Sequence, residues 1–412
     1  MTTQREHEKA AAAAESSRIR RTPGPLLTGL IAVAAAAVFA GARWATWARG
    51  NIANFILVGR HFSIASQVLP GIPVQPTYGY DGQWYYRLAL DPANLSRVAY
   101  GIRIDRGYRY MRIGYPALTW LLSAGRHALV PYTLVAVNVL AVGALGYFGA
   151  LFARRYGRSP LWGLLLPAYF GLLTSVSRDT AEPLAVACLL AGLLALRARR
   201  PVVAGLLLAF GALTRETTMA AVAAIAIVRV AGMIRDRRWP GREDLAWVLP
   251  SAVFAAWEAA AYAITGVFPL MADKDQNAGM PFLAPVQALV SNLGHLSLNP
   301  ADQVDVWMLE FAILVFCVVA ALALLRRSEV PVCEKLAFVL YIIVICAVTP
   351  STWSSLDADL RSFIEVYLLA VIVLLGVPAG RLGRRLSWLL PVLGVVLVPA
   401  IILVTQRRLT IS

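Results

Sequence analysis

The chain has 412 residues, 59% of them hydrophobic and 15% charged, with a formal net charge of +15. That balance, with apolar runs of about 16 to 23 residues recurring from Leu26 onward, excludes an ordinary soluble domain and marks an all-α polytopic membrane protein in a lipid bilayer. The positive excess falls in short arginine clusters between apolar runs, so membrane topology explains it and no nucleic-acid partner is implied.

Residues 1–25 are polar, charged and alanine-rich, and they end in Arg18, Arg20 and Arg21. They cannot bury enough apolar surface to fold alone, so a disordered cytoplasmic tail is expected. The apolar run from Leu26 to Gly41 reads as an uncleaved anchor, because many further spans follow it. Basic clusters at Arg154-Arg155 with Arg158, Arg197 to Arg200, Arg235 to Arg238, Arg326-Arg327 and Arg381 to Arg385 each end one apolar run and precede another. All are assigned to the cytoplasm. The spans then fall near 26–42, 131–153, 160–176, 180–196, 201–214, 216–234, 245–264, 306–325, 335–349, 361–379 and 388–404, about eleven helices crossing a plasma membrane with the N-terminus inside.

The segment 115–130 carries Arg126 and His127, and counting it as a span would put the Arg154 cluster outside. A short interfacial or re-entrant helix is expected there instead. Residues 43–130 then make a long outer loop with interfacial helices, and 265–305 a second outer loop, within one transmembrane domain over 26–412. Cys188, Cys317, Cys333 and Cys346 lack CxxC spacing, and His61, His127 and His295 lack metal-ligand spacing, so neither a disulfide framework nor a zinc site is indicated. No Walker loop, dinucleotide fingerprint or serine-nucleophile elbow is present.

The stretch from Tyr78 to Pro92 sets a lone carboxylate, Asp81, among Tyr78, Tyr80, Trp84, Tyr85 and Tyr86. Such rings favour the membrane-water boundary, and a carboxylate held there can act on a bilayer-anchored substrate. The structural alternative is that Asp81 caps a helix over 82–90 that Asp91-Pro92 ends. Other ionisable groups collect on the same side: Arg178, Asp179 and Glu182 in one tight turn, Arg215 and Glu216 in the next, and Asp357, Asp359, Arg361 and Glu365 at the start of a late span. Asp179 and Glu182, spaced i, i+3, would share a helical face and hold a cation or sugar hydroxyls, or else pair with Arg178 or Arg215. Asp357, Arg361 and Glu365, spaced i, i+4, would form a self-contained ion-pair stripe, or Arg361 would reach a phosphate. Arg87, Arg97, Arg103, Arg106, Arg109 and Arg112 put positive charge in the outer loop and call for an anionic partner, either a lipid-phosphate substrate or ordinary anionic phospholipid.

Tyr80-Asp81-Gly82-Gln83-Trp84-Tyr85-Tyr86 is similar to the aspartate-aromatic motif of GPI second-mannose transferases and of bacterial proteins linked to cell-surface glycopolymers. Tyr115-Pro116, Asp179-Thr180-Ala181-Glu182-Pro183 and Leu213-Thr214-Arg215-Glu216 resemble that group's later elements in the same order. Over about residues 26–220 the chain thus resembles a GT-C-fold glycosyltransferase. It departs from many members in one respect: Asp81 is followed by Gly82 instead of a second acid, and it lies well beyond the first span.

The resemblance implies transfer of a sugar, mannose first, from a polyprenyl-phosphate sugar donor to an envelope glycan or lipid acceptor on the outer face, with inversion. Asp81 would be the catalytic residue, and Arg109, Arg112, Arg215 and Arg361 would hold the donor phosphate. Tyr80, Gln83, Trp84, Tyr85, Arg178, Asp179, Glu182, Glu216 and Asp357 would line the substrate site. The lipid-linked sugar is the donor substrate, and a divalent cation is left open. The rival classes are a flippase or transporter for lipid-linked sugar and a non-catalytic scaffold in glycan assembly. A transporter is disfavoured because no inverted repeat is visible and the charges gather at one face instead of mid-span.

Overall fold

The computed structural model describes residues 24–272, 279–297, 302–353 and 360–378, with 391–395, 397, 401–402 and 405. The expected tail, the Arg381–Arg385 cluster and most of the last expected span lie outside these residues. The described chain is built mostly of helices, in the order α1 (Pro25–Ala45), α2 (Gly82–Leu90), α3 (Gly114–Leu122), α4 (Val130–Arg155), α5 (Gly171–Ser177), α6 (Glu182–Arg197), α7 (Pro201–Thr214), α8 (Thr218–Asp236), α9 (Leu245–Thr265), α10 (Leu283–Leu293), α11 (Gln303–Leu324), α12 (Val332–Cys346), α13 (Pro350–Trp353) and α14 (Ile364–Leu375).

Among the described residues, α1, α4, α8, α9 and α11, counted with the 3₁₀ turns that lead into α4 and α9, are long and apolar enough to cross a membrane. Proline opens several helices, at Pro25, Pro131, Pro183 and Pro201, where its missing N–H costs no intrahelical bond. The helix α14 is apolar apart from Glu365 and Tyr367 in its first turn, and every one of its 12 residues is buried, which makes it the centre of the bundle. It packs on α11 and α12 and touches α4 and α6.

The expected continuous span at 160–176 is not one helix. It is a 3₁₀ turn over Pro160–Leu165 followed, after an irregular stretch, by the short α5. Pro167 between them has no N–H to give an α-helical ladder. The nine-residue α3 is too short to cross a bilayer, in keeping with the interfacial or re-entrant expectation for that segment.

The first long loop folds as a small subdomain. Val58–Gly59 (β1) pairs in parallel with Val74–Gln75 (β2), and Val98–Ala99 (β3) pairs antiparallel with Ile102–Arg103 (β4). Its core gathers Ile56, Tyr86, Leu88, Leu90, Ile102 and Tyr115 and joins the bundle through Leu134, Val137 and Ala181. All of the residues of α2 are buried in this subdomain. Trp84 Nε1 donates to the Arg103 carbonyl at 3.1 Å, and the Tyr85 ring meets Tyr115 edge-on at 5.5 Å. Some of the loop's positive charge is also spent internally. Arg87 donates to the carbonyls of Asn94 and Ser96, and Arg103 donates to that of His61.

Candidate functional site

Asp81 stands at the start of α2 with helical backbone angles, φ −57° and ψ −29°, and its side chain makes no capping bond. The capping alternative therefore does not describe it. Its carboxylate instead lies between two guanidinium groups: Arg109 Nη1 donates to Oδ1 at 2.7 Å and Arg361 Nη2 donates to Oδ2. The Asp81 side chain keeps 16% of its surface exposed, whereas those of Arg109 and Arg361 keep 9% each.

Two close backbone approaches set this meeting. A Cβ on Gly82 would lie 2.5 Å from the Arg178 carbonyl oxygen and 2.8 Å from that of Ile56, so only glycine lets α2 press against the turn before α6. On the other side, a Cβ on Gly171 would lie 2.7 Å from Arg361 Cα, so the start of α5 abuts the 3₁₀ turn Arg361–Phe363. The first loop, the turn before α6 and the turn before α14 are thereby brought to one point.

Each arginine there has a second partner. Arg361 also donates to Glu182 Oε1 and, through Nε, to the Tyr80 hydroxyl at 2.9 Å. Arg109 donates through Nε to Asp105 Oδ1 at 3.1 Å and lies over the Trp84 ring at 3.6 Å. Arg112 forks onto Glu216, with Nε to Oε2 at 2.8 Å, and its Nη1 reaches the Tyr85 hydroxyl at 3.4 Å. Arg215 Nη1 meets both oxygens of Glu365, at 3.0 and 3.1 Å, and Nη2 donates to the Ser362 carbonyl. Thr217 Oγ1 adds a 2.6 Å bond to Glu365. Arg178 is different. Its guanidinium lies over the Tyr80 ring at 4.1 Å, its buried Nε has no hydrogen-bond partner, and it forms no ion pair with a described residue.

Burial works to raise the Asp81 pKa, but Arg109, Arg361 and Arg112 together outweigh it and hold the carboxyl well below the usual carboxylate range. The arginines thus favour the ionised form of Asp81. Tyr85 is pushed up to about 12, by burial first, and stays a neutral phenol.

Two expectations are corrected by this geometry. Asp179 and Glu182 do not share a helical face: Asp179 sits before α6 with φ +50°, while Glu182 is the first residue of that helix. Glu182 pairs with Arg361, whereas Asp179 is buried with neither carboxylate oxygen hydrogen-bonded. Burial pushes the Asp179 carboxyl well up, with Arg43 opposing only in part. Nor does Glu365 pair with Arg361 as the i, i+4 spacing predicts. Arg361 belongs to a 3₁₀ turn ahead of α14, so it faces Asp81 while Glu365 turns to Arg215. Gln83, expected to meet substrate, is buried and spends its amide on the Gly59 N–H at 3.2 Å and the Tyr78 carbonyl at 3.1 Å. Asp357 and Asp359 lie outside the described residues.

Asp105 was not foreseen in the sequence, although it stands four residues before Arg109 and pairs with it. Asp81, Glu182 and Glu216 each already face a guanidinium, and among the described residues no group of three or more His, Cys, Asp or Glu side chains is placed to hold a metal ion. Comparison of the chain with models of known families, with curated proteins and with solved structures gives no match.

Proposed function

We propose that this chain is a GT-C-type membrane glycosyltransferase that moves a sugar, mannose as the first candidate, from a polyprenyl phosphate to an envelope glycan or lipid acceptor. In this proposal the chain crosses the plasma membrane about eleven times, with the N-terminus inside and Asp81 facing outward. The observation that carries it is the meeting of Asp81, Arg109, Arg361, Tyr80 and Arg178 at the junction of the first loop with the bundle. A carboxylate among guanidinium groups at such a junction suits a substrate with a hydroxyl to activate and a phosphate to release.

The acceptor oxygen attacks the anomeric carbon as the bond from that carbon to the phosphate oxygen breaks, so configuration inverts. Asp81 accepts the hydrogen bond of the attacking hydroxyl and takes its proton as the new bond forms. The bond pair leaves with the phosphate, whose growing charge the arginines stabilise. Arg178 supports the phosphate role most directly, because its donors are not committed to a carboxylate. Arg112 and Arg215 are each tied to their own glutamate.

The test is incubation of the purified protein with a panel of radiolabelled polyprenyl-phosphate sugars and a membrane-envelope acceptor fraction. Release of label from one donor into acceptor is expected. No transfer from any mannosyl, glucosyl or pentosyl donor by folded protein would overturn the proposal.

A further inference from the structure

Arg109 and Arg361 are each held by two carboxylates: Arg109 by Asp81 and Asp105, Arg361 by Asp81 and Glu182. Asp81 is the shared member, and it is the most exposed of these ion-paired side chains. If Asp81 swung away, neither arginine would become a bare buried cation, since Asp105 and Glu182 would still pair with them. Tyr80 would still brace Arg361 through its hydroxyl, and Trp84 would still lie under Arg109. The two guanidinium groups would keep their places and present free N–H donors to whatever replaced Asp81. Arg178 lies over the Tyr80 ring, which Arg361 also approaches at 4.9 Å.

We propose that Asp81 occupies the phosphate position of the empty protein, that the phosphate of a lipid-linked ligand displaces it from Arg109 and Arg361, and that Asp105 and Glu182 are the positioning residues that keep both guanidinium groups in place during the exchange. The proposal rests on the glycosyltransferase reading for the identity of the ligand, but its geometry concerns phosphate binding alone. An arginine fork accepts a phosphate as readily as a carboxylate, because both offer paired oxygens. Exchange therefore replaces two charge-assisted contacts with equivalent ones, while Arg178 adds a contact that Asp81 does not use. Once displaced, Asp81 loses the two cations that keep it a weak base. Basicity then appears only when a phosphate is in place, which couples donor binding to activation of the acceptor hydroxyl.

Asp81 can be separated from Asp105 and Glu182, because removing any of the three deletes the same charge but only the loss of Asp81 is expected to tighten binding. Binding of decyl phosphate to the purified full-length protein in a neutral detergent, read by calorimetry at fixed salt, should tighten about tenfold in Asp81→Asn, since the internal competitor is weakened. It should weaken about tenfold in Asp105→Asn and in Glu182→Gln, since the guanidinium groups lose their braces. If Asp81→Asn does not accumulate as folded protein, Asp81→Ser serves, with the same expectation. Inorganic phosphate should bind more weakly than decyl phosphate in every variant. The reverse would assign the site to free phosphate and overturn the lipid-linked ligand. Unchanged or weaker binding in the Asp81 variants would overturn the displacement. Tightening in all three carboxylate variants would mean that charge alone governs binding, and would overturn the positioning roles. Absence of sugar transfer with this pattern of affinities intact would count against the transferase reading only.

Discussion

The guanidinium of Arg361 grips the carboxylate of Asp81 across 280 residues of sequence. This contact ties the first long loop to the turn before the central helix α14, and through Glu182 it reaches the start of α6 as well. A single side chain therefore holds together the elements on which the candidate chemistry depends. Because both partners are mostly buried, the pair is costly to break on one side only.

Arg361→Lys keeps the charge but loses the planar fork that serves Tyr80, Asp81 and Glu182 together. A loss of about 1–3 kcal/mol in folding stability is expected, the range for removing charge-assisted buried bonds. Thermal unfolding of the purified protein in detergent checks it. An unfolding midpoint equal to that of the native chain would show that the ion pairs carry no net stabilisation.

Gly82→Ala places a methyl group against two carbonyl oxygens of other segments, those of Arg178 and Ile56, and neither belongs to a flexible side chain. Either α2 moves outward, carrying Asp81 from Arg361, or the turn before α6 yields. A destabilisation of about 1–3 kcal/mol is expected from such overpacking. Phosphate affinity should change with it. Native stability together with native ligand affinity would mean that the close approach at Gly82 does not set the site.

Asp179 supplies a pH-dependent prediction. Its folded pKa is raised, by burial first, so the proton is held in the native state and released on unfolding. The stability linked to this group is then fully present below its unfolded pKa, about 3.9, and is lost progressively as pH rises from there through the folded pKa. Asp179→Asn carries no ionisable group and tolerates the left-handed backbone at φ +50°. Its stability relative to the native chain should grow by up to about 1.4 kcal/mol per pH unit across that window. Unfolding midpoints measured for both proteins from pH 4 to pH 8 should diverge in this direction. Parallel curves would show that Asp179 titrates normally.

Topology is open to direct labelling. Ser66 in the first loop and Arg242 just before α9 are both exposed. With Cys188, Cys317, Cys333 and Cys346 replaced by alanine, Ser66→Cys should react with an impermeant thiol reagent in intact cells, and Arg242→Cys should react only after the membrane is opened. The opposite pattern would put Asp81 on the cytoplasmic side.

Much of the candidate site was legible in the sequence because ionisable groups are rare in this chain and stand out at the ends of apolar runs. Asp81, Arg178, Arg215 and Arg361 were singled out on that ground, and the structure brings them into one region. Which acid meets which arginine was not legible. The i, i+4 spacing of Arg361 and Glu365 points to a pair, yet a 3₁₀ turn before α14 rotates Arg361 toward Asp81, 280 residues away. Pairing of that kind is set by long-range packing, not by local periodicity. The burial of α2 was missed for a similar reason: Trp84, Tyr85 and Tyr86 suit an interface equally well, and only the fold of the whole loop covers them. Asp105 does carry a local signal, four residues before Arg109, but the loop holds many arginines that spacing alone does not rank. The long helices α1, α4, α8, α9 and α11 were visible as apolar runs, whereas the break at Pro167 was hidden inside one.

The most direct test of the proposed function compares Asp81→Asn with Asp91→Asn in sugar transfer from polyprenyl-phosphate donors, measured beside the native protein. Asp91 ends α2, and its carboxylate accepts the Ala93 N–H at 3.2 Å. Its variant should insert normally and retain most activity. Asp81→Asn should also insert normally but lose transfer by about 10² or more, because an amide cannot take the proton of the acceptor hydroxyl. Folded Asp81→Asn protein that transfers sugar at close to the native rate would contradict the mechanism.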